Sequence, residues 1–270
     1  FLLLALPQIR GEIPGIAGIR YLLEVDYVKI LTLVVLVPAC TVARREAVKN
    51  KSRATLADKI LACYVVFIEI LRFHNDSFTG FLRSIPTIAI DVLIPYYAIS
   101  RSLKDIKSIR DALMSFTVAA MIASSVGVFE FIKHWLLYST FASTWGLGVS
   151  GRYLLRADYL RAVATSGQTI VFGYVIAVSI GFYLFIKNSV QSKLPWLIGG
   201  ALLIAGEIVS LSKGPWIGVV AMLVLFAALS PNRLKYAAKF IGIMISLMVV
   251  IYASGSTAKI MGFLPFVGTV

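Results

Sequence analysis

Long apolar stretches recur along the whole chain, and they restrict its fold more than any other feature. Hydrophobic residues make up 59% of the 270 residues and charged residues only 14%, whereas about 25% charge is usual in a soluble domain. The stretches are continuous and do not alternate with period two, which argues against a transmembrane β-barrel. The sequence therefore predicts an all-α, polytopic transmembrane helix bundle.

Eight of these stretches are candidates for complete spans, and residues 1–6 form a truncated first one. The eight are 27–43, 60–73, 85–100, 112–132, 168–186, 195–211, 215–229 and 240–253. The chain starts without Met and stops in a loop-like stretch, so we expect a fragment in which residues 1–270 form a single transmembrane domain.

The distribution of Lys and Arg predicts the orientation in the membrane. Loops 44–59, 101–111, 187–194 and 231–239 hold fifteen Lys and Arg residues. The alternate loops 10–26, 72–84, 133–166, 212–214 and 254–270 hold ten, although they cover more residues. Since cytoplasmic loops carry an excess of Lys and Arg, the first set is predicted to be cytoplasmic. The net charge of +13 is then mostly a topology signal with some attraction to anionic membrane lipids. No basic face interleaved with aromatics points to nucleic acid.

Four acidic residues lie within apolar stretches, where a charge is costly and indicates function by default. Glu69 and Glu130 have a simpler explanation. Glu69 has Arg72 three positions later, and Glu130 is followed at helical spacing by Lys133 and His134, so these neighbours are expected to neutralise the two carboxylates.

Asp91 and Glu207 have no basic residue within four positions. Each needs a partner from another helix or is protonated. For Glu207 the candidate partners are Lys213 and the arginines of 152–161, which the topology places on the same side. We expect Glu207 to support a binding site there.

Segment 151–173 places Arg152, Arg156 and Arg161 at the entrance of an apolar span, on the side where Arg is normally scarce. If the stretch is helical, the first two share a face. Guanidinium groups bind phosphate oxygens in pairs, so the three are candidate ligands for an anion. Anchoring to lipid headgroups is the alternative.

A second cation stands in the short connection Ser212-Lys213-Gly214-Pro215-Trp216. Pro215 suits the first position of the following helix, and the free amides at a helix start favour an anion beside Lys213. The alternative is a tight turn with a lysine that reaches to the membrane surface.

Catalytic groups are not visible in the sequence. His74 and His134 have no Ser or Cys nucleophile at an interpretable spacing, and no His, Asp or Glu cluster points to a metal. Cys40 and Cys63 lie in apolar stretches and are expected to be small buried hydrophobes. The catalytic residue is therefore unknown, and neither a metal nor a cofactor is expected.

Two stretches resemble motifs of the bacterial O-antigen ligase and polymerase family. Residues 161–174, RAVATSGQTIVFGY, resemble the family's entry motif, in which Arg-Ala and small residues precede a transmembrane helix. Residues 211–216, LSKGPW, resemble its Ser-Arg-Gly-x-Trp motif. Lys213 stands where the family usually has arginine, and Gln168-Thr169 where it commonly has His-Pro. Residues 150–230 carry the resemblance.

The resemblance implies an inverting, metal-independent glycosyltransferase in the bacterial cytoplasmic (inner) membrane. The donor would be a glycan on undecaprenyl pyrophosphate, and the acceptor a glycan or a lipid A-core, reached from the periplasmic face. Arg156, Arg161 and Lys213 would contact the pyrophosphate, with Arg152 in support. The family's large periplasmic loop, with its base-like histidine, would follow residue 270, so the fragment alone is expected to be inactive.

Two other functions compete with this one. A multispan transporter or flippase for an anionic or lipid-linked substrate would use Asp91 and Glu207 as coupling groups inside the membrane. A membrane scaffold without chemistry would use the arginines only as headgroup anchors.

Overall fold

The computed structural model describes residues 9–14, 21–49, 54–144, 148–149, 152–156, 158–187, 192–229 and 242. Helices dominate this part of the chain, as the apolar stretches predict. The described residues up to Ile109 form one compact unit, and those from Arg110 onward form a second.

The first unit opens with a two-stranded hairpin and continues with three helices. Strands β1 (Ile9–Pro14) and β2 (Tyr21–Asp26) pair antiparallel, with Arg10 opposite Asp26. Helix α1 covers residues 27–49, α2 is Leu56–Asn75, and α3 is Phe78–Ser102. Thr55 and Asp58 form a capping box at the start of α2, each side chain accepting from the other's backbone N–H.

Helices α1 and α3 each contain one π-helical stretch, Thr32–Leu36 and Ala89–Leu93. Each stretch ends two residues before a proline, Pro38 or Pro95. Proline lacks the N–H for an i to i−4 hydrogen bond and clashes with the carbonyl of residue i−4. In both helices that carbonyl belongs to the π-helical stretch, and the wider turn accommodates the ring without ending the helix.

The described part of the second unit contains five helices and three very short strands. Its helices are α4 (Ile106–Lys133), whose first residues belong to the first unit, α5 (Leu137–Thr144), α6 (Thr169–Ile186), α7 (Lys193–Ser210) and α8 (Lys213–Leu229). The strands are β3 (Gly148–Val149), β4 (Leu155–Arg156) and β5 (Tyr159–Leu160), and a 3-10 turn covers Ala164–Ser166.

The core of the second unit lies between α4, α6 and α7. Phe172 and Ile176 of α6 are fully buried there with Ala123 of α4 and Leu203 of α7. Small residues allow the close approach: a Cβ on Gly206 of α7 would collide with the Ser124 side chain of α4. Such small-residue contacts are the usual way in which helices pack inside a membrane, where apolar burial gives little advantage over lipid.

Within the described residues, five helical stretches are long and apolar enough to cross a membrane, so a membrane protein is indicated. They are Tyr27–Glu46, Phe78–Ser102, Ile106–Lys133, Thr169–Ile186 and Lys193–Ser210. The prediction of eight complete spans is not confirmed.

The three remaining predicted spans have different outcomes. Stretch 215–229 falls in α8, which is apolar but only 17 residues long. Stretch 60–73 lies in α2, a 20-residue helix that is not among the five. Stretch 240–253 lies outside the described residues apart from Gly242, and the truncated span 1–6 lies outside them altogether.

Candidate functional site

The arginine-bearing segment before α6 forms an extended hairpin. Strands β4 and β5 pair antiparallel, with Leu155 opposite Leu160 and Arg156 opposite Tyr159. Asp158, at the turn, has a φ of 64°, a left-handed conformation that Asp tolerates better than most residues. Residues 152–154 have no regular structure and residues 155–156 and 159–160 pair in the hairpin, so the helix that would place Arg152 and Arg156 on one face does not form.

Both arginines nearest to α6 bind the turn between α7 and α8. The Arg156 guanidinium donates from Nη1 to the Leu211 carbonyl at 3.1 Å. Arg161 donates from Nη2 to the Ser212 hydroxyl at 2.9 Å, and that hydroxyl donates to the Ser210 carbonyl. The two sequence motifs, about 50 residues apart, are thus in direct contact.

The loop that carries Arg161 is buried, so its backbone donors need partners within the protein. Leu160 and Ala162 are fully buried, and Ala164 is only 4% exposed. The Arg161 N–H donates to the Leu154 carbonyl, and the Ala162 N–H donates to the Val209 carbonyl in α7. These bonds attach the loop to the hairpin on one side and to α7 on the other.

Glu130, near the end of α4, accepts hydrogen bonds from further backbone N–H groups of this loop. Its Oε2 accepts the N–H groups of Val163 and Ala164 at 3.0 and 2.8 Å, and its Oε1 accepts that of Leu137 at 3.2 Å. The side chain is 1% exposed. Neutralisation by Lys133 or His134 is therefore not what holds this carboxylate; three backbone donors do so. Glu130 fixes the loop that presents Arg161.

Leu211, which accepts the bond from Arg156, has an unusual backbone conformation. Its φ is 46°, in the left-handed region, and its side chain is buried. A non-glycine residue there costs roughly 1–2 kcal/mol, and such strain persists only where the surroundings enforce it. Here the turn directs the Leu211 carbonyl to Arg156, while α8 starts two residues later.

The positive charges of the site are not neutralised by carboxylates in the described part of the chain. None of the ion pairs among the described residues includes Arg156, Arg161 or Lys213. The Arg161 Nε is buried and makes no hydrogen bond within the described chain. Burial, followed by the charge of Arg156, lowers the pKa of Arg161 below its usual value. Two neighbouring guanidinium groups that pair with no carboxylate in the described part of the chain are suited to an anion with several oxygens.

Lys213 is the first residue of α8, and it directly follows the hydroxyl that Arg161 binds. Its side chain is exposed. Pro215 is the third residue of the helix, so the prediction that it takes the first position is wrong by two residues. Its ring instead packs against α6: a Cβ on Gly173 would lie 2.7 Å from the Pro215 Cγ. The amides of Lys213 and Gly214 stay at the helix start, where the dipole favours an anion.

Glu207 and Arg152 do not take part in these contacts. The Glu207 carboxylate oxygens are buried and have no hydrogen-bond partner among the described residues, so the expected pairing with Lys213 or with an arginine is not observed. The alternative, a protonated carboxyl group, stays the prediction for it. Its backbone carbonyl does support the turn by accepting from the Trp216 Nε1 and the Ser210 hydroxyl. Arg152 is exposed in the irregular stretch before β4.

Asp91 and Glu69, the two acidic residues that lie within apolar stretches of the first unit, have partners that sequence spacing could not identify. Asp91 lies 3.5 Å from the Nζ of Lys29, which also pairs with Asp26 at 3.2 Å. Glu69 accepts a hydrogen bond from the Ser84 hydroxyl rather than pairing with Arg72.

The described residues contain no group of three or more His, Cys, Asp or Glu side chains placed to hold a metal ion. Cys40 is half-buried and Cys63 is exposed, so the prediction of two buried hydrophobes is wrong for Cys63. No protein-family model matches the chain, and no curated protein or solved structure matches it either.

Proposed function

We propose that this chain belongs to a membrane glycosyltransferase that moves a glycan from an undecaprenyl-pyrophosphate carrier to an acceptor glycan or lipid A-core. Arg156, Arg161 and Lys213 bind the pyrophosphate and stabilise it as it leaves. The reaction type comes from the resemblance of residues 161–174 and 211–216 to the O-antigen ligase and polymerase family.

The observation that carries the proposal is the contact between these two motifs. Arg156 and Arg161 bind the Leu211–Ser212 turn, and Lys213 follows it directly. Each guanidinium group uses one N–H group in the bonds that the structure gives, whereas it has five N–H donors in all. The unused donors and the amides of the α8 start can bind the oxygens of a diphosphate leaving group. Such preorganised donors are the usual means of stabilising developing negative charge.

The proposed site lies at one end of the helices of the second unit. The end of α4, the start of α6, the end of α7 and the start of α8 all contribute to it through Glu130, Phe172, Leu211 and Lys213. In the orientation predicted from Lys and Arg, this end is periplasmic, at the outer face of the bacterial inner membrane. A lipid-linked donor would therefore reach the site from the outer leaflet, with its pyrophosphate at headgroup depth.

The test is glycan transfer by the intact protein in cells that lack the chromosomal copy. We expect Arg161→Ala to abolish transfer while the amount of protein in the membrane stays normal. Arg161→Lys keeps the charge but loses the planar fork, so it should restore only part of the activity. Lys107→Ala is the matched control, because Lys107 is an exposed cation outside the site, and it should transfer like the wild type. Unchanged transfer by Arg161→Ala would refute the site.

A binding measurement separates the site from the reaction. Inorganic pyrophosphate, titrated into the purified intact protein by calorimetry, should bind the wild type more tightly than Arg156→Ala or Arg161→Ala. Loss of a charge-assisted hydrogen bond costs about 1.5–3 kcal/mol, which corresponds to a weakening of at least about tenfold. Equal affinity in all three proteins would contradict pyrophosphate recognition.

Transport of a lipid-linked anion is the competing hypothesis, and it predicts a different outcome. A transporter moves labelled donor across a sealed vesicle without acceptor, whereas a transferase consumes donor only when acceptor is present. Asp91 is already paired with Lys29, whereas the Glu207 carboxylate has no partner among the described residues, so a transporter would use Glu207 as its coupling group.

A further inference from the structure

A cavity of about 630 Å³ lies between α1, α2 and α3 in the first unit, far in sequence from the arginine site. Its volume is within the range of roughly 300–1,000 Å³ that is typical of ligand pockets. Most of its wall is apolar. The apolar lining includes Val37, Cys40, Leu61, Ala62, Leu93 and Ile94.

The charged groups of the cavity lie near the helix ends. Arg44 comes from the last turns of α1, Asp58 from the first turn of α2, and Arg101 from the last turn of α3. Arg101 donates from Nη2 to the Asp58 Oδ2 at 2.6 Å, and the Tyr96 hydroxyl donates to the other oxygen at 2.9 Å. The Asp58 charge is thus already compensated. A cavity with an apolar interior and a polar, charged end matches an amphiphile rather than a small polar solute.

The charge at this end is positive. Segment 44–59 contains six Lys and Arg residues but only two acids, Glu46 and Asp58. Both acids are paired outside the segment, Glu46 with Lys104 at 2.7 Å and Asp58 with Arg101. Among the described residues, Arg44 is exposed and takes part in no ion pair. The cation at the cavity rim is therefore available to a phosphate.

We propose that this cavity binds one anionic glycerophospholipid of the surrounding bilayer, with an acyl chain between α1, α2 and α3 and the phosphate beside Arg44. Basic pockets at the ends of transmembrane helices bind anionic headgroups through such attraction. The apolar side chains toward the middle of the helices match the acyl chain of a lipid, and the cations at the helix ends match its phosphate. The role of this lipid is separate from glycan transfer.

The test is native mass spectrometry of the intact, delipidated protein, titrated with phosphatidylglycerol, phosphatidylcholine or inorganic phosphate. We expect one phosphatidylglycerol to bind in preference to phosphatidylcholine. Arg44→Gln should weaken that binding about fivefold, which corresponds to the attraction of one basic residue to an anionic surface. Ala62→Trp, which fills the apolar part without a change of charge, should weaken it as well. Lys107→Gln is the control for charge loss on another exposed helix turn and should leave it unchanged.

Several outcomes would overturn the proposal. Equal binding of phosphatidylglycerol and phosphatidylcholine would exclude recognition of the charge. Equal weakening by Arg44→Gln and Lys107→Gln would indicate diffuse attraction rather than a site. Binding of inorganic phosphate as tight as that of phosphatidylglycerol, or full binding by Ala62→Trp, would exclude a lipid chain in the cavity. Circular dichroism of each variant identifies any that fails to fold, and in that case Ala62→Leu replaces Ala62→Trp.

Discussion

Glu130 is the residue on which the geometry of the arginine site depends most. Its two oxygens accept three backbone N–H groups, and two of these belong to the residues directly after Ala162. A buried carboxylate without a cation is stable only when hydrogen bonds replace the water it has lost. Glu130 therefore connects the end of α4 to the loop that presents Arg161. In the proposed site it would act as a positioning residue.

Glu130→Gln tests this role, since an amide cannot replace both acceptor oxygens. Whichever way the amide is turned, its NH₂ group faces at least one backbone N–H, and a buried donor is left unsatisfied. We expect a free energy of unfolding lower by about 1–3 kcal/mol, together with reduced glycan transfer by the intact protein. Thermal unfolding in detergent measures the first effect.

Asp158→Asn is the matched control for that prediction. It makes the same change of carboxylate to amide at an exposed turn position, and Asn tolerates the left-handed backbone found there. Its effect on stability should stay within about 0.5 kcal/mol. Equal losses in the two variants would contradict the special role of Glu130.

At the scale of the elements, the site depends on how closely α6 packs against α8. Gly173 is the contact point, where an added Cβ would lie 2.7 Å from the Pro215 Cγ and 3.0 Å from the Ser210 hydroxyl. The proline ring cannot turn away. Gly181, two turns later in α6, faces the flexible side chain of Met222 instead, at 2.6 Å from its sulfur.

Gly173→Ala is therefore predicted to destabilise the protein, whereas Gly181→Ala is not. Both substitutions gain a similar helix propensity, about 0.8–1 kcal/mol, so the difference between them isolates the clash. Overpacking costs about 1–3 kcal/mol, and Gly173→Ala should unfold at a lower temperature than Gly181→Ala. The opposite order would show that α6 and α8 are not packed as described.

The stability of the start of helix α2 depends on pH through Asp58. The hydrogen bond from the Thr55 N–H, together with those from Arg101 and Tyr96, holds the pKa of Asp58 well below its usual range. Because the folded-state pKa is depressed, the stabilisation is complete above the unfolded-state pKa of about 3.9 and is lost as the pH falls through the folded-state value.

The wild-type unfolding temperature should therefore fall on acidification from pH 5 to pH 3, and Asp58→Asn should show a shallower fall. Asp76→Asn, at the other end of α2, is the control, because the structure gives its side chain no hydrogen bond among the described residues. It should keep the wild-type slope. An unaltered slope in Asp58→Asn would contradict the prediction.

At the scale of the whole molecule, the predicted orientation follows from the charge of the loops alone. In a variant whose Cys40 and Cys63 are replaced by Ser, a single cysteine at Asp158 should react with a membrane-impermeant maleimide in intact spheroplasts. A single cysteine at Lys107 should react only after the membrane is permeabilised. Both positions are exposed on the protein, so the side of the membrane on which each lies decides whether the maleimide reaches it. The reverse pattern would place the arginine site in the cytoplasm.

The sequence predicts the helices well because apolar stretches of span length leave few alternatives to helix in a membrane. The pattern around Arg156, Arg161 and Lys213 makes them candidate ligands, and the structure brings both arginines to the turn that precedes Lys213. The capping box at Thr55 and Asp58 has a local signature as well, and sequence reasoning missed it.

Other features depend on residues that are far apart in the chain. Two of the backbone N–H groups that donate to Glu130 lie 33 and 34 residues later in the chain. Lys29 and Asp91, which form an ion pair, are 62 positions apart. Only tertiary packing determines such pairs. The spacing of Arg152 and Arg156 allows a helix without requiring one, and the pattern of so few residues does not distinguish a helix from the hairpin of β4 and β5.

In the proposed site, Arg156 and Arg161 interact both with the end of α7 and with the bound anion. The carbonyl groups at the end of α7 carry the negative end of its helix dipole, and Arg156 binds the last of them at Leu211. An anion held by the same guanidinium groups competes with that helix end, so anion affinity and the tightness of the turn are thermodynamically linked. We expect pyrophosphate to accelerate amide hydrogen exchange at the turn while it protects the start of α8. Release of the leaving group would then let the end of α7 close again.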